Sequence, residues 1–381
     1  MTAWDPEELL SAAVDATGLD DFGPTEFRAG LDAYCASLGS EAILNDIGDM
    51  AVRNALDGNL TQRLRVLDWH RTHPEVAAEA IESPLVVVGL FRAGTTLLSN
   101  LLDQDPANRS LLRWESADAV PPVGPGELRA GERVDLAAFA LEMLESLEPR
   151  MAAVHHEEAA GPTEDIAVMS QDFKSLSWEA IANVPGYSDW LLGVDQTSAY
   201  EHHRKVLQVL QSGGARGRWT LKSPHHVLAL DELVAVYPDA RLVVLHRDPV
   251  VLCASVCSLI STLSGAFSDA DHTAYIASHW VAMLEEMVGR LDAFRAARPE
   301  HPILDVHYAD LVRDPVGTVR TIDPALTDDA AGRIAAYVGS HPKGSRGEHH
   351  YQLAELGLDG PALRERFAAY VDRYDVPPEA I

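Results

Sequence analysis

Residues Leu85 to Val88 are a short, β-branched apolar run bounded by Pro84 and Gly89, the pattern of a buried parallel strand. Gly89 and Gly94 bracket a tight turn. Thr95 and Thr96 then open a segment whose Leu97, Leu98, Leu101 and Leu102 share one helical face. Strand, glycine turn and helix in this order commit the chain to an α/β fold, a P-loop-type parallel sheet flanked by helices. The same order aims free backbone N–H groups and a helix N-terminus at a phosphate.

The glycine spacing is G-x-x-x-x-G, as in nucleotide P-loops. A loop of that type that grips a γ-phosphate carries Lys after the second glycine. Here Thr95 holds that place, and the cation stands earlier, at Arg92. No convincing acidic strand end for Mg²⁺ accompanies it. The loop therefore suits a terminal phosphate or a phosphosulfate handled without a γ-phosphate. The alternative is a glycine-tightened turn with no ligand.

The 381 residues are enough for one large domain, and 47% hydrophobic content supplies a sizeable core. Lys and Arg number 30 against 58 Asp and Glu, a net charge of −28, which repels nucleic acid and anionic membrane surfaces. Against that background any local cluster of Arg and Lys is a candidate anion site. The three cysteines, Cys35, Cys253 and Cys257, give no disulfide framework. Cys253 and Cys257, four apart in an apolar segment, read as buried thiols on one helix face. The first residues lack a basic and apolar leader, and no apolar run approaches bilayer-spanning length, so a reducing cytoplasm is expected.

Residues 1–80 read as a helical layer, with helix starts at Pro6 and Pro24 and two further helices between Ser40 and His73. Residues 83–381 form the α/β core with a helical insertion at about 121–215, the whole being one domain. Leu111–Trp114 reads as a short strand delivering Glu115 to the sheet's carboxyl edge, where ligands bind in open α/β sheets; Glu115 could equally be an exposed loop acid. His155, His156, Glu157 and Glu158, with Glu164 and Asp165 nearby, suggest a polar cleft wall. Adjacent histidines lack the three- or four-residue spacing of helical metal ligands, so no metal is expected. Thr163 reads as a helix cap.

Further strands end at Lys222 (Arg218–Lys222) and His246 (Arg241–His246), with another at Ile303–Tyr308. A helix from His226 to about Tyr237 follows the first of these. After the second, Arg247 and, eight residues on, Ser255 present a guanidinium and a hydroxyl at a strand-to-helix junction, a pairing that matches phosphate oxygens. Arg247 could instead be a structural ion-pair partner. His341-Pro-Lys-Gly-Ser-Arg346 is a glycine-loosened loop whose Lys343 and Arg346 suit a lid over an anion. An amphipathic helix at about Pro361–Tyr374 closes the chain. Trp178, Tyr187, Trp190 and Tyr200 read as core, with an apolar cleft as the alternative.

Together these residues resemble the sulfotransferases that use 3′-phosphoadenosine-5′-phosphosulfate (PAPS), most closely the bacterial branch, with likeness to protein-tyrosine sulfotransferases around the site. Val88-Gly-Leu-Phe-Arg-Ala-Gly-Thr-Thr96 looks like the family's 5′-phosphosulfate loop, Phe91 and Ala93 departing from the usual Pro and Ser. Arg247 and Ser255 have the family's Arg-x₇-Ser spacing for the 3′-phosphate. Trp219-Thr-Leu-Lys222 resembles the segment whose Lys approaches the sulfuryl group. His341-Pro-Lys343-Gly344 looks like a version of the C-terminal lid. The resemblance implies nucleotide contacts from Arg92, Ala93, Gly94, Thr95, Thr96, Arg247, Ser255, Lys343 and Gly344. It also implies Arg92 and Lys222 as catalytic cations and no metal.

Trp114-Glu115 falls where family branches place a catalytic Glu, which makes Glu115 the expected base; His155, His156, Glu164 and His225 are the alternatives. The acceptor implied is a hydroxyl of a small molecule, lipid or natural product, not nucleic acid. A homo-oligomer is compatible with the sequence. Two other functions compete: an ATP-using small-molecule kinase, which needs Lys at position 95 and a Mg²⁺ ligand, and a degenerate nucleotide-binding protein, to which Phe91 and Ala93 lend some weight.

Overall fold

A computed structural model describes residues 4–147, 157–342 and 352–380. Among these, five strands form one all-parallel sheet: β1 (Leu85–Gly89), β2 (Asn108–Ser110), β3 (Arg218–Lys222), β4 (Arg241–His246) and β5 (Ile303–His307). Their order is β2-β3-β1-β4-β5. β1 lies at the centre, paired in register with β3 (Val87 opposite Lys222) and β4 (Gly89 opposite Leu245). Its valines have no exposed surface, as a strand covered by helices on both faces requires. From β1 the chain moves outward to β2 and β3 on one side, then crosses to β4 and β5 on the other. Such a reversal leaves a crevice outside the carboxyl ends of the central strands, the usual ligand position in open α/β sheets.

The N-terminal layer consists of α1 (Pro6–Thr17), α2 (Phe27–Ser40) and α3 (Asp46–Thr72). Asp5 and Asn45 cap α1 and α3 by accepting from Glu7 N and Gly48 N. The two helices expected between Ser40 and His73 are instead this single α3. Buried Leu56, Leu60 and Leu64 outweigh the cost of about 1 kcal/mol for an internal glycine such as Gly58. A buried Arg63–Asp172 ion pair at 2.9 Å ties α3 to the insertion. Tyr34 of α2 packs on Trp178 and Tyr187, with ring centroids 4.7 and 5.3 Å apart. Trp178, Tyr187 and Tyr200 are fully buried, and Trp190 packs at their margin: these aromatics are core.

Other expectations shift locally. The strand near Leu111 is Asn108–Ser110, and Glu115 lies in the short helix Arg113–Ala117, because Leu112 bridges to Pro162 and the Glu115 carboxylate turns back to the Leu112 N–H at 3.2 Å. Instead of one helix from His226, a 3₁₀ turn (Pro224–Ala229) started by Ser223 precedes the helix Leu230–Val236. The C-terminal helix is divided at buried Phe367 into Gly360–Arg366 and Ala368–Tyr374.

Contrary to the expectation from the sequence, the helix Pro249–Phe267, with mean hydropathy 2.0, is long and apolar enough to cross a membrane. In this fold 61% of it is buried inside the protein, with Val250, Leu252 and Val256 in the core. Its Cys253 and Cys257, like Cys35, are free, buried thiols, and burial pushes the Cys257 thiol up to about 12.

Candidate active site

Three cations stand at the carboxyl ends of three neighbouring strands: Arg92 after β1, Lys222 at the end of β3 and Arg247 after β4. Adjacent strands lie about 4.8 Å apart, so the sheet alone brings these positions together. A cavity of about 470 Å³ opens at this edge, and Arg92, Gly94, Thr95, Thr96, Glu164 and Arg247 line it.

The loop after β1 is shaped by close approach. A Cβ on Gly89 would meet Leu245 O at 2.7 Å, and one on Gly94, at φ 102°, would meet the Tyr308 ring at 2.6 Å. Arg92 itself sits at φ 72°, a conformation that costs a non-glycine residue free energy and recurs at functional sites. The helix Thr95–Leu102 starts without a side-chain cap, so its first N–H groups remain for an anion. Ala93 is fully buried and its N–H donates to Leu90 O at 3.1 Å, so side chain and amide are both engaged within the protein.

The anion-binding residues form a connected set. Arg247 Nη1 donates to Arg92 O at 3.1 Å, and Arg92 Nε donates to Ser255 Oγ at 3.0 Å. Ser255 is buried and bears on Arg92 here. The Arg247 guanidinium lies 4.1 Å from the centre of the Tyr308 ring and pairs in bidentate fashion with Glu379. Tyr308 and Glu379 were not foreseen. Tyr308 could have been suspected from its place just after a strand, whereas Glu379 carries no local signal.

Across the cavity, Lys222 Nζ lies 3.1 Å from Glu164 Oε1 and 3.5 Å from Thr96 Oγ1. Lys222 is buried, while the Glu164 side chain keeps 17% of its surface exposed, open to an incoming group. Glu164 reaches this place because its segment is pinned on both sides. Thr163 N donates to Leu111 O at 2.9 Å and Asp165 N to Lys222 O at 3.0 Å. The Thr163 hydroxyl, expected as a cap, donates to Glu157 Oε1 at 2.6 Å. Glu157 also pairs with Arg113 at 3.0 Å on the cavity wall.

Glu115 and His225 are placed elsewhere, and Lys222, Ala93 and Ser255 are not among the residues that line the cavity. Glu115 is 1% exposed, forms a buried ion pair with Arg109 and caps its own short helix. It does not line the cavity, so its carboxylate is committed to structure. His225 is fully buried with Nε2 2.7 Å from Gln196 Oε1 and Nδ1 accepting from Leu176 N–H. Burial, helped by neighbouring His226 and Arg290, lowers its pKa to about 3, and it too is absent from the cavity wall. His155, His156, Lys343, Gly344 and Arg346 lie outside the described residues. Among the described residues no group of three or more His, Cys, Asp or Glu could hold a metal ion.

The rest of the cavity is apolar. Leu176, Leu259, Ile260, Leu263 and Trp280 line it, three of them from the helix Pro249–Phe267. An anion cradle, a Lys–Glu pair and a greasy wall thus share one space. This can hold a group-transfer donor by its negative charges and an apolar acceptor by its body.

Known proteins share this sequence pattern and fold. The sequence profile described as the sulfotransferase family matches residues 84–326. The omega-hydroxy-beta-dihydromenaquinone-9 sulfotransferase Stf3 of Mycobacterium bovis is 22% identical over 312 residues, which is 77% of this chain and 75% of that protein. The crystal structure of the sulfotransferase STF9 from Mycobacterium avium superposes with a TM-score of 0.87 at 32% identity, covering 98% of each chain. That of STF1 from Mycobacterium tuberculosis H37Rv gives 0.85 at 32% identity, covering 97% of this chain and 99% of that one.

Proposed function

The chain belongs to the sulfotransferase family, and from that premise we propose that it moves a sulfuryl group from PAPS to the hydroxyl of an apolar acceptor. The observation that carries this reading is the placement of Arg92, Lys222 and Arg247 at three adjacent strand ends, where Arg92 and Arg247 line one cavity with Glu164 and an apolar wall, and Lys222 is held against the lining residues Glu164 and Thr96. PAPS carries negative charge at two separated points. The loop Gly89–Thr96 and its helix N-terminus suit the 5′-phosphosulfate, and Arg247 suits the 3′-phosphate. The chain's 381 residues act as one catalytic unit in this reading.

The acceptor oxygen attacks sulfur in line, a new S–O bond forms, and the bond from sulfur to the bridging oxygen breaks, that oxygen leaving on phosphoadenosine phosphate. Glu164, partly open to the cavity, takes the acceptor's proton. Lys222 and Arg92 neutralise charge developing on the bridging and sulfuryl oxygens, which preorganised cations do without reorganising during the reaction. Glu164 replaces Glu115 as base because it lines the cavity and Glu115 does not.

The apolar wall supports a lipid-like or aromatic alcohol as acceptor, and the Mycobacterium bovis relative's name points the same way, to a hydroxylated menaquinone. A cytoplasmic location, where PAPS is made available, belongs to the same proposal. The test is a screen of hydroxylated acceptors with sulfur-labelled PAPS, alongside thermal shifts with phosphoadenosine phosphate and with ATP·Mg²⁺. Label appearing in an apolar alcohol, with stabilisation by phosphoadenosine phosphate, is expected. Stabilisation by ATP·Mg²⁺ alone would overturn the assignment.

A further inference from the structure

Asp165 has no exposed surface and takes no direct part in the transfer, yet it touches both sides of the Lys222–Glu164 pair. It follows Glu164 in the chain. Its N–H donates to Lys222 O at 3.0 Å, and its Oδ2 accepts from Lys222 N–H at 2.6 Å. Main chain and side chain therefore clasp the last residue of β3 from two directions, one peptide away from the carboxylate that faces the cavity.

The clasp is itself held. His226 Nε2 lies 3.0 Å from Asp165 Oδ2, and His203 Nε2 lies 3.2 Å from Oδ1. Behind each imidazole stands a phenol: Tyr200 OH is 3.0 Å from His226 Nδ1, and Tyr237 OH is 2.8 Å from His203 Nδ1. Burial raises the pKa of both phenols, so each hydroxyl keeps its proton and donates to Nδ1. That leaves an Nε2 proton on each ring: His226 shares its own with Asp165 Oδ2, while His203 Nε2 stands close to Oδ1 without the alignment of a hydrogen bond. Burial alone would raise the Asp165 pKa, but the neighbouring His203 and His226 prevail and hold it at about 2. A buried carboxylate is costly unless surrounded in this way, and well-packed apolar side chains fill such space at no such cost. What the anion supplies beyond packing is a fixed geometry at the junction of two cavity residues.

We propose that Asp165 is a positioning residue for sulfuryl transfer, which keeps the Glu164 carboxylate and the Lys222 ammonium in register while donor and acceptor enter. This rests on the function proposed above. In Asp165→Asn the new NH₂ group meets the donors of His226, His203 or Lys222 N–H, and the clasp loosens without a change in size. The expected result is a fall in kcat per folded site of about tenfold or more, with affinity for phosphoadenosine phosphate within about twofold of wild type.

A merely structural role is separated by a double-mutant cycle with Glu164→Gln, read with labelled PAPS. If Asp165 acts through the Lys222–Glu164 pair, adding Asp165→Asn to Glu164→Gln costs less than it does in the wild type. Full multiplication of the two losses, or an unchanged kcat in Asp165→Asn, overturns the proposal and leaves the proposed function intact. Wild-type turnover in Glu164→Gln removes the premise instead, and this proposal falls with it. If Asp165→Asn does not fold, Tyr200→Phe and Tyr237→Phe test the same point by removing the donors that orient the imidazoles. Each should lower kcat more in the wild-type background than in Glu164→Gln, where only the effect through Lys222 remains, and equal losses in both backgrounds overturn the proposal.

Discussion

Arg247 meets a carboxylate of its own chain: its Nε and Nη2 donate to Glu379 Oε1 and Oε2 at 2.8 and 3.0 Å. Asp248, beside Arg247, holds the Glu379 N–H at 2.8 Å and pairs with Arg364 at 3.2 Å, so the C-terminal segment is fastened at the junction where the 3′-phosphate is proposed to bind. A carboxylate and a phosphate compete for the same guanidinium face. A partly exposed pair contributes about 1 kcal/mol, equivalent to about fivefold in affinity. Glu379→Ala should therefore tighten phosphoadenosine phosphate by about that factor in calorimetry and leave adenosine 5′-phosphate, which lacks the 3′ group, unchanged. An equal gain for both nucleotides would separate Glu379 from the 3′ site.

Glu164 and Glu115 should respond to substitution in different ways. Glu164→Gln keeps shape but cannot accept a proton, and loss of general-base help should lower kcat per folded molecule by about 10²- to 10⁴-fold, in addition to the stability lost when buried Lys222 gives up its counter-charge. Glu115→Gln leaves the buried Arg109 guanidinium without its counter-charge. Breaking such a pair costs about 3–5 kcal/mol of stability, so the midpoint of denaturation should drop while kcat per folded molecule stays near wild type. If Glu115→Gln instead loses turnover at full stability, the base has been misassigned.

The contrast between these two acids shows what the sequence could tell. The loop from Gly89 to Thr96 was legible because an apolar run, two glycines and a helical leucine face are local patterns. Lys222 and Arg247 were legible because both stand at the ends of apolar strands. For Glu115, nearness to a strand end does not fix the direction of the side chain, and the helix start at Arg113 turns it back onto Arg109. Glu164 reaches the cavity through the bond between Asp165 and Lys222, 57 positions apart, which no window of neighbours contains. Glu379 is more distant still from its partner in sequence, and the pairing is made by the packing of the last helices.

Stability should fall on mild acidification because buried His202, whose pKa burial lowers well below the ordinary value, is joined by His225. The folded pKa of His225, lowered by burial to about 3, lies below the ordinary value of about 6.5 for an unfolded chain. Between those values the unfolded state binds the extra proton. The contribution is fully present above about pH 6.5 and is lost as pH falls toward 3, by up to about 1.4 kcal/mol per pH unit. Asp165, held at about 2, adds its own loss only below the ordinary carboxylate range near pH 4. Urea midpoints should thus drop between pH 7.5 and pH 5, and His225→Asn, which can still accept from Leu176 N–H, should flatten that slope. Equal slopes in both proteins would exclude His225 as a source.

The apolar wall should govern acceptor turnover independently of the donor. Leu259 and Leu263 are one helical turn apart on Pro249–Phe267, and both line the cavity and remain partly accessible. Covering such an apolar wall with an acceptor body is favoured by the hydrophobic effect. Leu259→Ala removes three carbons from that contact. The transfer term is about 1–3 kcal/mol, so kcat/KM for an apolar alcohol should fall about 10- to 100-fold. The same substitution lies away from Arg92 and Arg247 in chemistry, and the thermal shift induced by phosphoadenosine phosphate should be preserved. A short polar alcohol, which gains nothing from the wall, should be turned over equally by variant and wild type. Parallel loss for polar and apolar alcohols would mean that these leucines support the fold of the helix and leave acceptor choice to other residues.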